Sequence, residues 1–202
     1  MKAWLRGGLL ALCVLSGCEG KRPRAASRGP DSAATPLPPD SLPPMPKYPE
    51  PGRGRLAALS AGAERPIQGE WPAEAGICEQ PPMLQVVSQV PGTGTIVLLA
   101  LPEGNRVTSY PVALVGTGLP TPPAAQVGVQ MFAGGMPAAY QASDGAVEIY
   151  AFEKTVSGRF GVTLRHISTN QKIRYAGAFK GIPLKALDQT HCALADSTAR
   201  AR

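Results

Sequence analysis

The chain has little of what most enzymes and nucleic-acid binders depend on. Aromatic residues are 5% of its 202 positions and charged residues 17%, with two histidines and four cysteines. Neither Gly92-Gly94 nor Gly116-Gly118 belongs to a phosphate-binding loop or a complete GxGxxG fingerprint. His166 and His191 are accompanied by Ser157, Ser168 and Asp188, yet nothing resembles GxSxG or another ordered nucleophile–base set. No cysteine lies in a CxxC motif, so neither a redox pair nor a zinc knuckle is indicated. No catalytic residue, metal site or cofactor is therefore assigned. The N-terminal apolar run Leu9–Leu15 falls short of the about 20 residues a transmembrane helix needs. Glu19, Lys21, Arg22 and Arg24 follow it closely, and such charges are costly at membrane depth.

That run is informative as a signal. Lys2 and Arg6 precede it, and a basic region before a short apolar core is the pattern of an export signal. It ends Leu15-Ser16-Gly17-Cys18, an aliphatic residue, two small residues and a cysteine. This stretch resembles the lipobox of bacterial lipoproteins. The resemblance covers residues 1–18 alone. It implies cleavage between Gly17 and Cys18 and a diacylglycerol thioether on Cys18, with the membrane as partner through that lipid. Each buried CH₂ of an acyl chain adds roughly 0.8 kcal/mol of attachment. Glu19, rather than Asp, follows the cysteine and favours the outer membrane over the inner one. The expected location is thus exported and membrane-anchored.

Cys13 leaves with the signal and Cys18 takes the lipid. Cys78 and Cys192 remain, an even pair in an oxidising setting, and their positions fit one disulfide joining the ends of the folded region. A two-cysteine metal site with His191 is the weaker alternative, because the spacing lacks a CxxC element.

Proline then marks the next segment. Fourteen of the 22 prolines fall between Pro23 and Pro82, among Ala and Ser and without apolar periodicity. Such a composition cannot offset its own ordering entropy. Residues 18–70 are therefore expected to be a disordered Pro-rich tether after the lipidated cysteine, with a short helix at most over Arg55–Glu64. Residues 71–195 form the expected folded domain and 196–202 a disordered tail.

The folded region reads as strands. Leu84–Val90, Gly94–Leu101, Arg106–Val115 and Ala125–Phe132 are apolar or alternating runs between Gly, Pro and Asp. Ala138–Ser143 and Ala146–Phe152 flank Asp144-Gly145, which predicts a tight hairpin turn. Val156–His166 and Lys172–Lys180 alternate best, with Phe160, Val162, Leu164, Ile173, Tyr175 and Phe179 on one face. The expectation is an all-β fold: an antiparallel β-sandwich or small barrel of about eight strands.

The formal charge of +6 lies outside the domain, since residues 71–195 hold eight Lys/Arg and seven Asp/Glu. Export and the absence of an aromatic–basic platform argue against nucleic acid as a partner. The final hairpin nevertheless carries a cationic face of Arg159, Arg165, Lys172, Arg174 and Lys180. This is a candidate contact for an anionic lipid, a glycan or an acidic envelope protein, or else a solvated face that blunts edge pairing. Together these features predict a non-enzymatic accessory or structural subunit of an envelope complex. A membrane-displayed solute- or glycan-binding module is the alternative, with Tyr110, Tyr140 and Tyr150 as its aromatics.

Overall fold

Ten strands, and no helix, form the described part of the molecule, a computed structural model that describes residues 42–113, 121–133 and 136–188. They are β1 (Arg55–Ala61), β2 (Gln68–Pro72), β3 (Glu74–Cys78), β4 (Met83–Val90), β5 (Thr93–Ala100), β6 (Ser109–Pro111), β7 (Ala124–Ala133), β8 (Met136–Phe152), β9 (Thr155–His166) and β10 (Lys172–Ala186).

Seven of them close on themselves. The ring runs β3-β4-β5-β7-β8-β9-β10 and returns to β3. Every pairing in it is antiparallel except the closing one, where Leu184–Ala186 of β10 runs parallel to Ala75–Ile77 of β3. The hairpin β1–β2 extends from the first half of β10, and β6 adds to β8. Of the two architectures expected, the barrel is the one formed.

Alternation explains the closure. On β9, Phe160, Val162 and Leu164 are fully buried while Arg159 and Arg165 are exposed. Leu84, Val86, Val97, Leu99, Val127 and Tyr175 join the same apolar cluster from the other walls. Side chains fill the interior, as is usual in barrels of this size. Tyr175 reaches across it, its hydroxyl 2.8 Å from that of Thr95 on β5. Phe160 packs beside the Tyr175 ring at 5.4 Å between centroids.

Four expectations need correction. Asp144-Gly145 makes no hairpin: β8 runs unbroken from Met136 to Phe152. The pairing with β9 instead shifts register between Ala142 and Asp144, a bulge that absorbs the extra residue, and Gly145 adopts φ 113°. Of the expected strand Arg106–Val115, the described residues contribute Ser109–Pro111 to the sheet, after which Val112 bonds to Gly145 O and Ala113 turns to Ala125 O on β7. Arg55–Ala61 is a strand rather than tether or helix, so the fold begins well before residue 71. β2 and β3 also precede the first expected strand.

Leu42–Gly54 is likewise part of the folded body. It runs as a strap along the outer face of β1, β10 and β9. Pro43 abuts Gly62, Tyr48 lies on Gly161, and Arg53 packs on Gly181. Ala57, Ala176 and Ala178, on the outer side of the sheet, are buried.

Candidate functional site

The five candidate cations separate once the strands are paired. Arg159 is engaged three ways. Its Nε and Nη2 lie 2.7 and 2.6 Å from Glu148 Oε2 on β8, and its guanidinium sits 4.9 Å above the Tyr48 ring of the strap. The hydrogen bond and charge of Glu148 push the Arg159 guanidinium above its usual range. Lys180 stands opposite Arg55, itself bonded to Glu70 at 2.8 Å. Arg174 is half-buried, its Nη1 donating to Thr163 Oγ1 at 2.5 Å while its Nε lacks a partner.

Arg165 and Lys172 form a second pair of opposed cations. They face each other directly across the β9–β10 ladder, and both are exposed. Among the described residues neither has an ion pair, and Arg165 has only a 3.5 Å contact to Asn170 Oδ1. Like charges directly opposite on a sheet oppose pairing.

The histidine beside them is a turn residue. His166 Nδ1 accepts from the backbone N–H groups of Ser168 and Thr169 at 3.2 and 3.1 Å, and its ring meets Tyr140 edge-on at 4.9 Å. Both donors meet the same ring nitrogen, so the imidazole caps the start of the β9–β10 turn. His191, Cys18 and Cys192 lie outside the described residues. Cys78 is buried beside Met83 and Leu187, and its expected partner, Cys192, lies outside the described residues. No group of three or more His, Cys, Asp and Glu that could hold a metal occurs among the described residues.

Of the three tyrosines, Tyr110 is buried, donates to Arg106 O at 2.9 Å, and has a phenol raised by that burial. Tyr150 is exposed on the outer wall, 3.5 Å from Phe179 O. Tyr140 lines a cavity. This depression of about 500 Å³ is bounded by Val87, Gly94, Ile96, Gly128, Phe132 and Tyr140, on β4, β5, β7 and β8. A second, of about 400 Å³, lies near Cys78 and Arg106.

Sequence reasoning missed two exposed apolar side chains, Phe132 at 57% and Ile167 at 63% exposure. Phe132 falls at the end of the expected strand Ala125–Phe132 and Ile167 just after the expected strand Val156–His166; an apolar residue at a strand end is the signal available for both. Comparison with protein-family models, curated proteins and solved structures finds no match for this chain.

Proposed function

We propose that the chain is an exported, lipid-anchored protein whose barrel serves as a non-enzymatic accessory or structural subunit of an envelope complex. The observation that carries this reading is Leu15-Ser16-Gly17-Cys18 directly after a short apolar core. Cleavage after Gly17 would leave Cys18 as a lipidated N-terminus, held in the outer membrane and joined to the barrel by the Pro-rich segment. A disulfide between Cys78 and Cys192 belongs to the same reading, since export supplies an oxidising setting. The filled barrel supports a scaffold more than a carrier, because the core leaves its interior to side chains rather than cargo.

The test is Cys18→Ser. The native chain is expected to incorporate labelled fatty acid and fractionate with membranes, and the variant to do neither. Label retained by the variant would overturn the anchor. Crosslinking the native protein in its envelope is expected to capture a stoichiometric protein partner. A native protein without one would overturn the subunit reading and leave the second.

That second reading, a solute- or glycan-binding module, rests on the 500 Å³ depression with Tyr140 and Phe132 at its wall. Glycan binding by the barrel that Tyr140→Ala abolishes would establish it.

A further inference from the structure

Three connections meet at one end of the barrel. Phe132, near the end of β7, has its N–H bonded to Gly92 O in the β4–β5 turn at 2.9 Å. The β9–β10 turn holds Ile167, whose N–H bonds Ala139 O at the start of β8, also at 2.9 Å. Ala139 pairs with Gln130, two positions from Phe132, so the two most exposed large apolar side chains among the described residues lie near one another, one at the end of β7 and one in the β9–β10 turn. Arg165 and Lys172, two exposed cations without ion pairs among the described residues, form the base of the Ile167 turn. In the β1–β2 connection at this end, Glu64 and Arg65 offset each other. Arg174 faces Thr163, which Asp144 flanks on the other side. The local balance is cationic.

The strap supplies an independent observation. It passes from Pro43, against Gly62, down the wall to Arg53, against Gly181. Gly62 follows Ala61, which pairs with Arg174, so the strap begins at the Arg165–Lys172 end. Leu42, where the described strap starts, is therefore close to the end that carries the exposed apolar and cationic groups.

We propose that this end of the barrel, with Phe132, Ile167, Arg165 and Lys172, is a docking surface for an anionic phospholipid bilayer. The two apolar side chains enter the headgroup boundary and the two cations meet lipid phosphates. Opposed like charges that are unfavourable in the free protein become complementary there. The lipid contact needs no anchor at Cys18, so it stands apart from the lipidation proposed above.

The experiment uses a chain beginning at Glu19, which keeps the strap and the entire closed barrel but has neither signal nor Cys18. It is sedimented at low salt with vesicles of phosphatidylglycerol and phosphatidylcholine, or of phosphatidylcholine alone. Binding is expected to be at least about tenfold tighter to the anionic vesicles, and to weaken as salt rises. Arg165→Glu with Lys172→Glu removes the preference. Ile167→Ser weakens binding severalfold and leaves the Tyr140 depression intact, because Ile167 does not line it. Lys185→Glu, beside Glu74 near the parallel seam, changes binding less than twofold. Equal or absent binding to both vesicles overturns the proposal, as does a folded Ile167→Ser or double-charge variant that binds like the parent. Because the chain lacks Cys18, these outcomes are separate from the fate of the lipid anchor.

Discussion

Tyr175 shows how one side chain makes stability depend on pH. Burial pushes its phenol well above the usual value, against a smaller opposing effect of the Thr95 hydrogen bond. The unfolded phenol ionises near pH 10. Below that the folded form keeps its full contribution; above it the unfolded chain loses the proton first, and stability declines towards the raised folded value. Denaturant titrations between pH 9 and about 12 are expected to show this decline. Tyr175→Phe should reduce its slope, leaving the part due to Tyr110, whose burial acts in the same direction. At neutral pH that variant should lose about 1 kcal/mol, because Thr95 keeps a buried hydroxyl without its partner. An unchanged slope would show that Tyr175 does not control the alkaline limb. Gly161 provides a second test. A Cβ there would lie 2.8 Å from Tyr48 Oη. Gly161→Ala is expected to lift the strap and speed tryptic cleavage after Lys47 severalfold, with the barrel intact. Equal cleavage rates would mean that the strap is held elsewhere.

Strands were legible wherever one face met the core and the other met water. β4, β5 and β7 follow that rule, and so do β9 and β10 near their shared turn, where exposed Arg165 and Lys172 flank buried Leu164 and Ile173. β1 escaped because neither side is wet: Leu56, Ala58 and Ser60 turn to the core, while Ala57 is buried on the other side. Without polar alternation, its Ala and Leu imitate a short helix. β2 and β3 are five residues each and separated by Ala73, too short for a period to declare itself. β8 was misread because Asp-Gly is a turn signal locally, while the barrel needs a bulge there. A Cβ at Gly145 would collide with the Gly161 carbonyl and approach Val162 Cα to 2.7 Å, at a φ of 113°. Gly145→Ala should cost about 3 kcal/mol in denaturant unfolding, combining backbone strain with displacement of β9. A loss below about 1 kcal/mol would mean that the bulge relaxes freely. At the candidate site, the cations were visible in the sequence but their division was not. Only the register tells that Arg159 meets Glu148 whereas Arg165 meets Lys172.

At the scale of the molecule, the barrel's closure had no local signature, since residues far apart in sequence form it. β10 bonds to β9 along one edge and to β1 and then β3 along the other. Ending the chain at Pro183 should remove all the β10–β3 pairs while keeping those of β10 with β1 and β9. Faster hydrogen exchange in β3 and β4 than in β9 is the expected sign, and uniform protection would show that the seam is not a separate unit. The position of β10 also sets a time order. On the ribosome, Ala75 emerges long before Leu184, and at usual synthesis rates the wait is on the order of ten seconds. Through that interval β1 and β3 both lack the strand that unites them. The nascent chain thus stays unclosed until its last stretch appears, a delay that keeps it threadable through a narrow channel but leaves bare strand edges for a chaperone to cover.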